Sequence, residues 1–133
     1  MAEERFGDLA RLVGRILIAA IFIYDATQLV RFPEGSATFM EQFGVPALLL
    51  YPTAIFEFFG GLLIVIGLFT RLTALAFTGF CLLTALIFHH DLANSSEVLQ
   101  FGKDLGLAGG FMFLFASGAG CFSFDQRRLG ARG

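Results

Sequence analysis

Charged residues are scarce in this sequence. Asp, Glu, Lys and Arg make up 15% of its 133 residues, against about 25% in a typical soluble domain. Hydrophobic residues account for 56%, 18 residues are phenylalanine, and the mean hydropathy is +0.76. These few charged residues cannot cover so much apolar surface in water. We therefore expect part of the protein surface to face lipid. The length limits the chain to a single domain, residues 1–133, with a few membrane-crossing segments.

Cysteine is also scarce, and neither position favours a disulfide bond or a metal site. Cys81 and Cys121 lie far apart within apolar stretches, with no C-x-x-C spacing and no histidine at zinc-finger distance. This pattern excludes a disulfide framework and a structural zinc site. We interpret both cysteines as small buried apolar residues.

Nucleic-acid binding and the common catalytic classes lack their usual signatures here. The net charge is −2 and the pI about 5.6, so the chain offers no basic patch for nucleic acid. The sequence contains no G-x-S-x-G, no P-loop, no H-E-x-x-H and no G-x-G-x-x-G after a strand. Whether the chain is itself an enzyme therefore stays open.

Long apolar segments predict an all-α membrane protein. Each approaches the roughly 20 residues that a helix needs to cross a hydrocarbon core. The segments cover approximately residues 12–30, 47–69, 72–88 and 105–122. The first is kept rather than cleaved, because Tyr24-Asp25-Ala26 at its end does not fit a signal-peptidase site. Since the period-2 alternation of a membrane barrel is absent, the predicted fold is an antiparallel bundle of four transmembrane helices.

The distribution of Lys and Arg predicts the orientation of this bundle. With four spans, both termini share one side of the membrane. That side collects Arg5, Arg11, Arg15, Arg71, Arg127, Arg128 and Arg132, whereas the other side has Arg31 and Lys103. The bias predicts that both termini are cytoplasmic, with Arg11 and Arg15 anchored at lipid phosphates.

Residues 31–46, between the first two spans, should contain a short helix. Ser36 can cap its start and Gly44 can end it. Its apolar side would carry Phe39, Met40 and Phe43. Two interpretations are open, an interfacial helix that rests in the headgroups and a lid over the bundle.

The fourth segment carries glycines at every fourth position, Gly102, Gly106 and Gly110. Such spacing gives a smooth helix face that permits close backbone approach. This face serves either for packing inside the bundle or as the seam of a homodimer.

Polar residues inside the spans define the candidate site, because a charge at the helix centre costs about 2.5–3.5 kcal/mol. Glu57 lies about 15 Å along its helix from Ala47, near the middle of a core about 30 Å thick. The same helix rise places polar residues from all four spans in the outer half. They are Asp25, Gln28, Glu57, His89, His90, Asp91, Lys103 and Asp104. Because polar groups avoid lipid, we expect one site that opens to the outer face.

A pocket of carboxyl, imidazole and amide groups among phenylalanines suits a flat amphipathic ligand that exchanges protons, such as a quinone. The candidates for proton exchange are Glu57, His89 and His90. The residues predicted to contact the ligand are Asp25, Gln28, Phe56, Glu57, Phe88, His89 and Lys103. Adjacent histidines on a helix point about 100° apart, so no metal site is predicted. Alternatively, Glu57 is a paired packing residue and the histidines are interfacial.

Several strings along the chain form a recognisable pattern. They are Gly14-Arg15 before an apolar run, Phe43-Gly44-Val45-Pro46, Glu57-Phe58-Phe59-Gly60-Gly61-Leu62-Leu63, Gly67-Leu68-Phe69-Thr70-Arg71, and Gly118-Ala119-Gly120 with Ser123-Phe124-Asp125. This pattern, over about residues 9–126, resembles the DoxX family of small bacterial inner-membrane proteins. By the match, Glu57, Arg71 and Asp125 are family-pattern positions. Asp25 stands where many relatives have a small or polar residue, so the resemblance implies no shared role for it.

The resemblance implies a four-helix membrane bundle. Such proteins are often described as quinol-oxidase or thiosulfate:quinone oxidoreductase subunits, and in some bacteria they are linked to a membrane oxidative-stress complex. We therefore expect a multi-pass protein of the bacterial inner membrane, a redox-associated subunit that binds a quinone-like molecule beside a membrane or periplasmic redox partner. The alternative is a carrier or scaffold without chemistry of its own.

Overall fold

The computed structural model describes residues 1–131, and most of them are helical. The described residues form six α-helices and no β-strand. The helices are α1 (Ala2–Arg31), α2 (Pro33–Gln42), α3 (Leu50–Ile66), α4 (Thr70–Phe88), α5 (Ser95–Ser117) and α6 (Phe124–Gly130), with a 3-10 turn at Ala47–Leu49. The predicted all-α class is confirmed.

Three helical stretches are long and apolar enough to cross a membrane. They are Ala47–Ile66, Thr70–Phe88 and Ser95–Ser117. The first two lie close to the predicted spans. The third begins and ends earlier than the predicted 105–122, because Asn94 caps the start of α5 and the chain leaves helical geometry at Gly118. The crossing at 12–30, within α1, stays a prediction, and so does the count of four.

The expected short helix after the first span is α2, but Ser36 does not cap it. α2 begins at Pro33, whose ring already holds a helical φ at the first-turn position. The backbone N–H of Ser36 donates to the carbonyl of Phe32 at 3.1 Å, so Ser36 lies inside the helix. Gly44, with φ of 77°, follows its end. The placement of α2 at a membrane surface stays a prediction.

The four long helices run antiparallel, as contacts at their ends show. Midway along α1, Arg15 contacts the end of α3 at the carbonyls of Ile64 and Val65. Ile23, later in α1, lies beside Gly61, earlier in α3. At the opposite end of the bundle, His89 after α4 pairs with Glu97 at the start of α5. We call these the arginine end (Arg11, Arg15, Arg71 and Arg128) and the histidine end (His89 and His90). Within the bundle, α1 packs along α3 and α4 packs along α5.

A cluster of phenylalanine rings joins all four long helices at the centre. The ring of Phe77 on α4 lies 4.7 Å from that of Phe22 on α1 and 4.9 Å from that of Phe111 on α5. On α3, Phe56 lies 4.7 Å from Phe77. A Cβ at Gly60 would lie 2.8 Å from the Phe77 ring, so glycine is what lets α3 approach α4 here. Because lipid tails are as apolar as these rings, close packing rather than the hydrophobic effect holds such helices together.

Candidate functional site

Glu57 points into the bundle and is only 3% exposed. Its Oε2 atom is buried and has no hydrogen-bond partner. Asp25 on α1 has its carboxyl group close enough to interact with that of Glu57. Asp25 itself is exposed at the surface of the bundle. The pair of interacting carboxyl groups therefore extends from the buried interior, at Glu57, to the exposed surface of α1, at Asp25.

Further titratable groups continue from Glu57 toward the histidine end. The thiol of Cys81 on α4 is buried and lies within electrostatic range of Glu57 and of Asp104 on α5. Asp104 in turn lies within range of His89. The Nδ1 atom of His89 and an Oε2 atom of Glu97 are 2.9 Å apart. All four long helices thus contribute to a line of polar groups from the middle of the bundle to its histidine end.

Other members of the predicted layer lie apart from this line. His90 is exposed, with its Nδ1 atom 2.9 Å from the carbonyl oxygen of Ile87. Lys103 is exposed and makes no hydrogen bond or salt bridge with the residues described. Gln28 is half-buried on α1, and Asp91 folds back to accept from the backbone N–H of Ala93 at 3.2 Å. In the described part of the chain, no cluster of His, Cys, Asp and Glu could hold a metal ion.

The two aromatic residues predicted as ligand walls pack against protein instead. Phe56 lies 4.7 Å from Phe77 and 5.2 Å from Phe80, within the central cluster. The ring of Phe88 lies 5.5 Å from Phe39 of α2 and 5.3 Å from Phe43 just after it. Both rings are therefore engaged with other phenylalanines, Phe88 with those of α2 and the residue after it, and Phe56 with those of α4. Both interpretations of α2, interfacial helix and lid, agree with this contact.

The two best-formed cavities among the described residues lie at the arginine end. Their volumes are about 600 and 540 Å³. Neither is lined by Glu57, His89 or His90. A guest beside Glu57 would therefore have to move a side chain or enter from the side of Asp25.

Arg15 has a structural role that the sequence did not predict. It is 1% exposed rather than anchored at lipid phosphates. Its Nη1 atom donates to the carbonyls of Ile64 at 3.4 Å and Val65 at 3.2 Å, and its Nη2 atom donates to that of Phe122. The last carbonyls of a helix have no intrahelical donor and carry partial negative charge. Arg15 supplies those donors for α3, which is why it is drawn inside.

Asp125 fastens the turn between α3 and α4. Its carboxylate accepts from the backbone N–H groups of Phe69 at 2.8 Å and Thr70 at 2.9 Å. Its own N–H donates to the carbonyl of Gly67 at 2.9 Å. Burial opposes ionisation of Asp125, but the amides of Thr70 and Phe69 outweigh it and hold the pKa below its ordinary value. The closing Gly-x-Gly-x-x-Ser-x-Asp string is thus a latch, and its Ser123-x-x-Gln126 spacing is the capping signal that could have revealed it.

Cys121 and Asp8 join the start of α1 to the latch. Asp8 accepts from the backbone N–H of Cys121 at 3.1 Å and pairs with Arg11 at 2.8 Å. Contact with the thiol of Cys121, and then the hydrogen bond from its backbone N–H, lowers the pKa of Asp8, and the Asp8 carboxylate raises the pKa of the Cys121 thiol. The interpretation of both cysteines as buried is right for Cys81, at 1% exposure, and wrong for Cys121, which is exposed.

Comparison with known proteins identifies a family and relatives for this chain. The family model described as DoxX matches residues 10–90. The chain is 39% identical to the inner membrane protein YqjF of Escherichia coli, over 92% of this chain and 95% of that protein. It is 32% identical to the inner membrane protein YphA of the same organism, over 87% of this chain and 88% of that protein. No solved structure matches significantly.

Proposed function

Because the chain belongs to the DoxX family of integral membrane proteins, we propose that it is a redox-associated subunit that binds a quinone-like, proton-exchanging molecule at Glu57. The observation that carries this proposal is the buried Oε2 atom without a partner. Leaving a buried acceptor unsatisfied costs about 1–3 kcal/mol. A ligand hydroxyl that donates to this oxygen would recover that cost, and the protonated carboxyl could donate to a ligand carbonyl.

The topology that goes with this proposal has four crossings and cytoplasmic termini. Residues 12–30 of α1 would form the additional crossing, since α1 packs along α3 for much of its length. The arginine end would then be cytoplasmic under the positive-inside rule. The line from Glu57 through Asp104 to His89 would lead toward the outer surface.

Asp25 marks the side from which the ligand would reach Glu57. Its carboxyl group interacts with that of Glu57, yet the residue is exposed at the surface of α1. A lipophilic molecule dissolved in the bilayer could therefore reach the carboxyl pair without passing through water. In this proposal the chain binds the ligand and moves protons, and a partner protein handles the electrons.

Titration of the purified protein with a quinone analogue in nanodiscs tests the proposal. We expect Glu57→Gln to raise the Kd about tenfold or more, equivalent to about 1.4 kcal/mol, and His89→Ala to raise it less. The matched control is Glu41→Gln, the same chemical change at an exposed position on α2. Equally weak binding by the wild type and all three variants would remove the proposal.

A carrier or scaffold role is the second candidate, and the surface of α5 favours it. Only 11% of the most apolar stretch of α5 is buried, against 33% of the corresponding stretches that contain α3 and α4. A Cβ at Gly110 would lie 3.0 Å from Ile18, so this glycine packs inside the bundle, whereas a Cβ at Gly102 or Gly106 would meet nothing within 4 Å. The open positions leave room for a partner helix, either another protein or a second copy of this chain.

Bulky replacement separates the two candidates. If α5 binds a partner helix, Gly106→Leu should abolish copurification or cross-linking of the partner, while Glu57→Gln leaves it intact. If the ligand proposal is right, Gly106→Leu should leave quinone binding unchanged, since a Cβ at this position points into open space and meets no atom within 4 Å.

A further inference from the structure

The larger cavity lies at the arginine end, away from Glu57. Its volume is about 600 Å³. It is enclosed by the start of α4, the loop that follows α5, and α6. Its charged lining residues are Asp8, Arg11, Arg71, Asp125 and Arg128. Nothing in the proposed quinone site uses this space.

Both carboxylates of this cavity and Arg11 are already engaged, whereas Arg71 and Arg128 form no salt bridge with any residue from 1 to 131. Asp8 pairs with Arg11 at 2.8 Å, and Asp125 accepts from two backbone amides. Arg71 makes no hydrogen bond or salt bridge to any residue from 1 to 131. Arg128 lies over the ring of Phe69, 4.9 Å from its centroid, which leaves its guanidinium N–H groups free to donate. The cavity therefore presents excess positive charge.

Uncharged donors line the same space. The first N–H groups of a helix have no intrahelical acceptor. The carboxylate of Asp125 accepts from the backbone N–H groups of Phe69 and Thr70. The N–H groups of Arg71 and Leu72, at the start of the 19-residue α4, are left to donate to a ligand. Thr70 is fully buried in the cavity wall, and its Oγ1 atom has no hydrogen-bond partner among residues 1–131. Guanidinium groups, a helix N-terminus and a free hydroxyl are the donors that proteins assemble around phosphate.

We propose that this cavity binds a phosphate group, with Arg71 and Arg128 as its ionic contacts and the start of α4 as its cradle. The phosphate could belong to an anionic lipid headgroup or be free in solution. Both sources share the same chemistry, since the guanidinium fork matches two phosphate oxygens. The proposal does not depend on quinone binding at Glu57.

Two arms of one experiment distinguish the sources. The purified full chain is reconstituted in nanodiscs of phosphatidylcholine alone and titrated with inorganic phosphate by calorimetry. In parallel, nanodiscs that also contain phosphatidylglycerol are analysed for retained lipid by native mass spectrometry. Saturable binding in the first arm identifies free phosphate, and selective retention in the second identifies a lipid headgroup. Binding in neither arm overturns the proposal.

Variants test whether the cavity is responsible. We expect Arg71→Gln and Arg128→Gln each to weaken binding about tenfold, as loss of a charge-assisted contact implies. The matched control is Arg5→Gln, an exposed arginine at the same end that does not line the cavity. Two cavity variants are used so that the test still works if one of them does not fold. Circular dichroism measures the helical content of each variant. If Arg5→Gln weakens binding as much as either cavity variant, the attraction is nonspecific and the proposal fails.

Discussion

Arg15 and Glu57 are both ionisable residues buried in the bundle, but their surroundings differ. Arg15 is 1% exposed and Glu57 is 3% exposed. The terminal nitrogens of Arg15 donate to three backbone carbonyls, although its Nε atom has no partner. The Oε2 atom of Glu57 has no hydrogen bond at all, and its ionisable neighbour is another acid. Burial alone therefore does not separate these two residues, whereas the satisfaction of their terminal polar atoms does.

This comparison implies opposite responses to mutation. A satisfied buried charge should be costly to remove, because its partners would be left without donors. Removing an unsatisfied buried charge should change the free energy of unfolding little but should weaken ligand binding. We therefore expect the loss of stability to be largest for Arg15 and smallest for Glu57.

Replacing Arg15 with Met should cause the largest loss. Met retains much of the volume but leaves the carbonyls of Ile64, Val65 and Phe122 without their donor. At about 1–3 kcal/mol for each unsatisfied buried group, with partial relief by water, we expect a loss of about 3 kcal/mol or more. Reversible unfolding in mixed detergent measures it. The control Arg5→Met, exposed on the same helix, should change stability by less than about 0.5 kcal/mol, and an equally small effect of Arg15→Met would break the comparison.

Gly67→Ala should cost nearly as much at the same end. Gly67 has φ of 73°, where a Cβ is strained by about 1–2 kcal/mol. The added carbon would also collide with the Arg15 guanidinium and with Ser123. We expect a loss of about 2–3 kcal/mol in the same unfolding assay. Gly79→Ala is the matched control, because its Cβ meets open space within α4, and it should stabilise by about 0.5–1 kcal/mol.

The sequence predicts the helical class and the depth of Glu57 because both depend on local properties. Apolar length indicates the helices, and the fixed rise per residue places Glu57 near the middle of its span. Arg15 could not be assigned in this way. An arginine at the start of an apolar run has the same local pattern whether it snorkels to lipid or turns inward. Its carbonyl partners lie 49, 50 and 107 residues away, and no periodicity reports such contacts.

The aromatic residues show the same limit. Phe56 and Phe88 adjoin Glu57 and His89 in the sequence, but packing partners decide whether a ring borders a cavity. Phe39 and Phe43 reach Phe88 only because α2 folds back over the end of α4. The arginine-end cavity was also missed, because residues from α1, α4, α6 and the loop after α5 enclose it.

Asp125→Asn should have a smaller and pH-dependent effect. The carboxylate caps the start of α4, and loss of such a cap costs about 1 kcal/mol. Its folded pKa lies below its unfolded pKa, so its contribution is complete above the unfolded value, near 3.8, and is lost as pH falls through the folded value. Unfolding measured from pH 7 to pH 3 should therefore show less acid sensitivity in the variant. Identical pH profiles for wild type and variant would contradict the capping role.

Glu57→Gln should have the smallest effect on stability, and this result would sharpen the comparison most. The amide removes a potential charge from the interior and retains the shape, so we expect stability to be unchanged or raised by up to about 1 kcal/mol. The same variant should bind the quinone analogue more weakly. If its unfolding curve matches that of the wild type, a general destabilisation of the bundle cannot explain the weaker binding. A stability loss above about 2 kcal/mol would instead mean that Glu57, like Arg15, holds the fold together, and the case for a ligand at this carboxyl would fail with it.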